Sequence, residues 1–442
     1  MGEFDVKVTF PRVAGRDVAI SFDGGEISSD AGLLLLAEAD RRLGLTRRLA
    51  ECLVDRRQPG KVQQSFHDML RQRVFGIACG YSDQNDFDTL RSDPVHKLAA
   101  GRAPSGDDLA SQPTLSRFEN SVGRTQLLRM GEVMLEGFIH RHRQRPPREI
   151  ILDADATDDP THGQQELSFY HGYYQCHCYL PLLVYAQADA GEQELVASVL
   201  RPGNVHAGRG AVSVLRRLVE RLRAAFPNTR IILRSDSGLA LPEVYQWAEE
   251  AGISYAIGLA KNSRLEEAAE PAMRKARALF EETGEKAKLF RTLWYAAESW
   301  TKERQVVVKA EVLEKGENPR FVVHNLPWRA DEVYSFYTER GEVENRIKEL
   351  KLDLESGRTS CHRFLANQFR LMLHAAAFVL LQFIRAKLAG TELARAQCNR
   401  LRLCLLKVGA RVRQSARRIW LQLPSSYPWQ DFWPWLVPRL AQ

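Results

Sequence analysis

Residues 148–157 read REIILDADAT, set between Pro146-Pro147 and Asp159-Pro160. The short run Ile150, Ile151, Leu152, closed off by turn-forming residues, has the length and composition of a buried strand. It ends in two acids, Asp153 and Asp155, which share one face because they are two residues apart. Carboxylates that follow a buried strand are costly unless they are paired or hold a cation. The ends of such strands are also where open α/β sheets form their sites. The stretch therefore argues for an α/β protein with its chemistry at a sheet edge.

Downstream residues extend that sheet. YLPLLVYAQAD (179–189) and QELVASVLRPG (193–203) read as two strands joined by a turn at Ala190-Gly191. A helix, GAVSVLRRLVERLRAAF (210–226), leads to a strand, RIILRSDSG (230–238). A second helix, LPEVYQWAEEAG (241–252), leads to the strand SYAIGLA (254–260). Strands with short links pair antiparallel, and strands separated by a helix tend to pair parallel. The expectation is a mixed five-stranded sheet with helices packed on it. Its fourth strand ends in Asp236, and as a neighbour of the first it should bring Asp236 to Asp155. Residues 262–328 then interrupt with a charged helical piece and a hairpin, RQVVVKAEVLEKGENPRFVVHNL, turning at Lys315-Gly316.

After the interruption comes YTERGEVENRIKELK (337–351). Val343, Ile347, Leu350 and Leu354 recur at helical steps and make one apolar stripe. Tyr337, Arg340, Glu344 and Lys351 fall on one side of the same helix, over ~21 Å of its axis. A charged helix face is by itself usually solvated surface. Here, however, it offers a third carboxylate, Glu344, to Asp155 and Asp236. Three carboxylates with no soft ligand suit a hard divalent ion, Mg²⁺ or Mn²⁺. Two such ions ~3.5–4 Å apart can activate a water or a 3′-hydroxyl and stabilise the leaving oxygen of a phosphodiester. Arg340 and Lys351 would neutralise phosphates beside them, and Tyr337 would contact a phosphate or a sugar.

The chain divides at changes of texture. Residues 1–145 read as helical, opening on SSDAGLLLLAEADRRLGL with capping candidates at 28–30, and suit a DNA-binding region or a plain bundle equally well. Residues 146–261 form the first part of the core, 262–328 an insertion, 329–375 the second part, and 376–442 a basic helical C-terminal region. Between Arg385 and Arg418 there are ten Lys/Arg and one acid, Glu392. At 44% hydrophobic and 26% charged residues, the composition favours neither disorder nor a membrane class. The net charge of +7 is mild, so a polyanion-binding surface must come from local clustering. Seven scattered cysteines are not a disulfide framework and fit a reducing cytoplasm, and Cys176-His177-Cys178 lacks the second pair of a zinc module. MGEFDVKVTF lacks the layout of a signal peptide. The most apolar stretch, Leu371 to Ile384, is interrupted by His374 and Gln382 and falls short of the ~20 residues that span a bilayer, so a buried core helix and no membrane partner are expected.

Together these residues resemble a family. Tyr337, Arg340, Glu344 and Lys351 fit the Tyr-x2-Arg-x3-Glu-x6-Lys (YREK) signature of a group of DDE-type insertion-sequence transposases. DADATDDPTHGQQ and LRSDSG look like the bacterial insertion sequence 1380 type. The likeness is strongest over 148–375 and reaches ISSDAGLLLLAE more weakly. It implies an RNase H-like catalytic core, interrupted by a β-containing insertion. It implies Asp155, Asp236 and Glu344 as a catalytic triad that binds two Mg²⁺ (or Mn²⁺) ions, with Tyr337, Arg340 and Lys351 as DNA contacts near the cleaved end. Asp155 is preferred to Asp153 because Asp155-Ala-Thr is similar to the Asp-Gly-Thr of related transposases; use of Asp153 stays open. Trp294, Trp300 and Trp328 are candidates for stacking a flipped base.

The implied activity is transposition. Such a protein binds the terminal inverted repeats of its element, cleaves there, and joins the 3′-hydroxyl ends to target DNA, as a homodimer in the synaptic complex and in the cytoplasm at the bacterial nucleoid. A nuclease of the same fold without strand transfer and a catalytically silent DNA-binding regulator are the alternatives. A paired-carboxylate glycosidase is disfavoured by the cations beside the acids.

Overall fold

The computed structural model describes residues 8–441, so the reading of the first seven residues lies outside it. The chain forms two compact units, Val122–Leu352 with Ser356–Ala375, and Met1–Ser121 with Asp353–Glu355 and Ala376–Gln442.

The first of these is built on one large sheet and also holds a small three-stranded sheet of Asp159–Pro160, Phe169–His171 and Cys176–Tyr179. Helix α1 (Arg124–His142) precedes strand β1 (Glu149–Ala156), followed by β2 (Leu182–Ala188) and β3 (Gln193–Val199). Next come helix α2 (Ala211–Ala225), β4 (Arg230–Ser235), α3 (Pro242–Glu250) and β5 (Ser254–Leu259). Then follow α4 (Ser263–Thr283), β6 (Ala287–Tyr295), β7 (Arg304–Leu313), the two-residue β8 (Gly316–Glu317) and β9 (Arg320–His324). Helices α5 (Ala330–Thr338) and α6 (Gly341–Lys348) come last in this run.

The order across the sheet is β6-β7-β9-β5-β4-β1-β2-β3, with β8 paired to β7, nine strands in all. β4 lies parallel to both β1 and β5, whereas β2 is antiparallel to β1 and β3 antiparallel to β2. The five strands expected from the sequence are thus consecutive, but the sheet does not end with them. β9 pairs antiparallel with β5, so residues 287–324 continue the sheet where an interrupting subdomain was expected. The edge of β5 explains this: its backbone groups need partners, and the Val-rich β7 and β9 supply a ladder buried on both faces.

Side-chain alternation sorts β1 between two cores. Ile150, Leu152 and Ala154 join the larger core with α2 and α3 residues such as Leu215, Leu222 and Tyr245. Ile151 joins Ile232, Ala256, Val322 and the α5 residues Val333 and Phe336 on the opposite face. Asp153 and Asp155 have the parity of Ile151 and so belong to the face covered by α5.

The second unit is mainly helical, with α-helices at Leu33–Leu43, Leu45–Glu51, Phe66–Ala78 and Gln112–Asn120. Two features differ from expectation. The helix at Leu33 is capped by Gly32, not by Ser or Asp; Asp30 is fully buried and accepts from His96 (2.9 Å) while pairing with Lys407 (2.9 Å). Hairpins also stand where helices were expected, Val8–Val13 with Arg16–Ile20, and Ala410–Gln414 with Ile419–Gln422. The second lies in the basic C-terminal tract, where buried Ala410 and Val412 alternate with exposed Arg411 and Arg413 at the period of a strand.

The apolar segment around Leu371 also corrects an estimate. The helix runs Phe364–Ala386, 23 residues, long and apolar enough to cross a bilayer, yet 89% of its most apolar window is buried, as in a core helix.

Candidate active site

Local structure begins with β1 and β4, whose parallel pairing sets Asp153 beside Arg234 and Ala154 beside Ser235. Asp153 and Arg234 are both essentially buried, and the guanidinium donates to both carboxylate oxygens, at 2.7 and 2.9 Å. Gln193 donates to the same carboxylate at 3.1 Å. Arg234 also donates to the carbonyl of Phe336 at 2.7 Å and lies 4.8 Å from the centre of its ring. The ion pair therefore ties the sheet to the last turn of α5, one residue before Tyr337. A buried pair of this kind positions its surroundings more than it adds net stability.

Two residues on, Asp155 stands in a different environment. It is 9% exposed. Arg340 donates to it at 3.3 Å and to Glu344 at 2.8 Å, so one guanidinium spans two carboxylates that are 189 positions apart in sequence. Burial, reinforced by the negative charges of Asp236 and Glu344 and opposed by Arg340, pushes the Asp155 carboxyl up to about 7. Asp236 follows the end of β4, where its side chain accepts from the backbone N–H of Gly238 at 2.9 Å and caps a short 3₁₀ turn, Ser237–Leu239. A cavity of about 370 Å³ lies between the end of β1 and α6, lined by Asp155, Thr157, Glu344, Ile347 and Lys351 among others.

The helix that carries Glu344 is not one continuous rod. It breaks at Glu339–Arg340, where the N–H groups of Arg340, Glu342 and Val343 donate three residues back in place of four. After Lys348 it widens into a π-turn, Glu349–Asp353. The apolar stripe holds throughout: Val343, Ile347, Leu350 and Leu354 are all buried.

Tyr337 lies in the last turn of α5 with its ring 5.8 Å from the Arg340 guanidinium. Its hydroxyl lies against Gly258 of β5, where an added Cβ would come within 2.4 Å of the hydroxyl oxygen. Lys351, in the π-turn, is engaged by Asp158 (2.7 Å) and Thr157 (3.1 Å). Of the tryptophans, Trp294 on β6 is 62% exposed. Trp300 packs on Tyr245 and Tyr295, and Trp328 on Phe336.

Sequence reading missed several participants. Arg234 is masked by its place in an apolar strand, and Gly258 by the plainness of SYAIGLA. Thr157 and Asp158 sat in view directly after Asp155 but carried no signal pairing them with Lys351. Tyr174, half-buried, is within electrostatic reach of Asp158, Asp155 and Asp236, which add to burial in raising its hydroxyl pKa.

Chemically, the arrangement has a surplus of hard oxygen ligands, with a guanidinium standing where a positive charge is required. Among the described residues no three His, Cys, Asp or Glu side chains already converge closely enough to hold an ion. The donor set still fits a hard divalent cation. Asp155 and Glu344 share a single cationic partner, and burial together with the facing charges of Asp236 and Glu344 raises the Asp155 carboxyl, an unfavourable charge that a bound cation would relieve.

Comparison with known families follows the same line. The model of the family described as transposase DDE domain group 1 matches residues 10–442. No curated protein matches the sequence. Membership implies transposition by DDE-type nuclease chemistry, with DNA as partner, and such transposases generally use divalent metals. With the match running across almost the whole chain, this protein belongs to the transposase DDE domain group 1 family.

Proposed function

We propose that the chain is a transposase of the YREK-signature, insertion sequence 1380 type that binds the terminal inverted repeats of its element, cleaves there and joins the 3′-hydroxyl ends to target DNA. On this reading the core β1–β5 is RNase H-like. Asp155, Asp236 and Glu344 are its catalytic and metal-binding carboxylates. Asp155 is favoured over Asp153 because both oxygens of Asp153 are occupied by Arg234. The observation that carries the proposal is the single guanidinium of Arg340 bridging Asp155 and Glu344, with the charge of Asp236 acting on Asp155.

The three carboxylates would hold Mg²⁺ or Mn²⁺, two ions, and the chemistry supplied when they are bound is activation of the attacking hydroxyl and stabilisation of the leaving oxygen. For Glu344 and Asp155 to serve as ligands, Arg340 must leave the space between them. An incoming phosphate offers it a bidentate alternative. Tyr337 and Lys351 then flank the same strand of DNA, Lys351 exchanging Asp158 for a phosphate. Trp294, exposed on β6, is the tryptophan suited to stack a displaced base. Handling two element ends together calls for a homodimer, and the place of action is the bacterial nucleoid.

The test uses duplex taken from the DNA flanking the reading frame. Wild-type protein should nick it in Mn²⁺ and join the product to a target plasmid. Glu344→Gln should bind the same duplex and not cut it. Metal-dependent nicking by that variant would overturn the site, and cutting without joined product by the wild type would leave a nuclease.

A further inference from the structure

The basic C-terminal tract divides sharply by what its cations touch. Arg402 donates to the carbonyls of Ala78 and Asp353, and Lys407 pairs with Asp30 and donates to Tyr81, so these two are committed within their own unit. Arg411, Arg413, Arg417 and Arg418 lie on or beside the Ala410–Gln414/Ile419–Gln422 hairpin and are exposed. No carboxylate pairs with any of the four among the described residues, and the sequence from Leu393 to Gln430 contains no Asp or Glu.

The hairpin is held by packing and hydrogen bonds within its own unit. Its inner face, Ala410 with Leu421 and the neighbouring Ala31 and Val408, packs in a small core of its own, and Ser105 donates to Gln414. Ser415 and Arg418 close the turn through a backbone bond of 2.8 Å and a second bond from the Arg418 N–H to the Ser415 hydroxyl. The outer face carries Arg411 and Arg413, with Trp420 directly across from Arg413 and 43% exposed. The Arg418 guanidinium lies 5.7 Å from the Trp420 ring. Arg411 and Arg413 are spaced ~7 Å along the strand, about two base-pair rises of a duplex.

We propose that this hairpin face is a docking surface for the phosphate backbone of double-stranded DNA, with Arg411, Arg413 and Arg418 on phosphates and the Trp420 ring against deoxyribose. The inference rests on the transposase reading for the identity of the polyanion. It goes beyond that reading in assigning DNA contact to a surface formed by residues outside the carboxylate site. An unpaired row of guanidiniums on a fixed scaffold suits a regularly charged partner, and an exposed indole among them adds apolar contact area that a purely electrostatic surface lacks. The contacts carry no base readout, so the surface adds affinity for any duplex.

The test measures binding of the full chain to a 30-bp duplex of arbitrary sequence by fluorescence anisotropy across a salt series. Arg411→Ala/Arg413→Ala should weaken binding on the order of ten- to a hundredfold and reduce the slope of log K against log salt by ~2. Arg411→Lys/Arg413→Lys should restore most of the slope, and Trp420→Ala should weaken binding with the slope unchanged. If the double alanine variant, shown folded by its melting curve, binds with wild-type affinity and slope, the surface is wrong while the transposase reading stands. If the wild type itself fails to bind duplex, both fall. If the wild type binds an acidic polypeptide or anionic vesicles at the hairpin in preference to duplex, the partner is misassigned.

Discussion

Asp155 carries its charge against burial and against the facing carboxylates of Asp236 and Glu344, with Arg340 as the opposing pull. Its carboxyl is pushed up to about 7, above the ordinary 3.8 of an aspartate in an unfolded chain. Between those two pH values the folded protein keeps a proton that the unfolded chain has lost, so stability falls as pH rises through that window. Asp155→Asn should therefore raise the Tm of metal-free protein at pH 8 and change it little near pH 4, each kcal/mol amounting to ~2–4 °C in a domain of this size. Thermal scans in chelator at the two pH values check this; a lower Tm at pH 8 would contradict it. Burial raises the Asp153 carboxyl as well, but its replacement has the opposite effect on stability. Replacing it by Asn leaves Arg234 buried without its charge partner, which should cost ~3–5 kcal/mol in urea unfolding, whereas Asp153→Leu with Arg234→Met should cost much less. Two acids, two positions apart on one face, thus do different work: one fastens α5 to the sheet, the other faces the cavity.

At the scale of elements, the joint between α5 and α6 sets where the site residues point. Tyr337 sits at its start with its hydroxyl over Gly258, where β5 has no room for a side chain. Gly258→Ala should displace Tyr337, destabilise the fold by ~1–3 kcal/mol through overpacking, and lower cleavage about tenfold while generic duplex binding persists. Retained cleavage with a shifted Tyr337 would remove Tyr337 from the machinery. The apolar stripe of Val343, Ile347, Leu350 and Leu354 was legible because burial imposes its spacing directly on the sequence. The break at Glu339–Arg340 was not, because both residues keep right-handed helical backbone angles and neither is Gly or Pro. Arg411 and Arg413 stand in a basic tract that reads as helical, and the two-residue alternation that makes them a strand is too short to outweigh that context. The Asp158–Lys351 pair is likewise a contact between an element end and a distant turn, which no local pattern encodes.

For the whole molecule, the strand-helix order gave away the mixed sheet and the pairing sense of its first five strands, since link length decides between parallel and antiparallel neighbours. The continuation through β9, β7 and β6 was hidden, because a hairpin of Val-rich strands reads the same whether it stands alone or docks on an open edge. On the proposed reading, Asp155, Asp236 and Glu344 act as one site for divalent cations once Arg340 withdraws. Mn²⁺ titration followed by electron paramagnetic resonance, with duplex DNA present, addresses that claim in the wild type, Asp236→Asn and Glu344→Gln. Both variants should lose bound Mn²⁺ while still melting in one cooperative transition. Wild-type stoichiometry and affinity in both would show that these carboxylates do not share an ion.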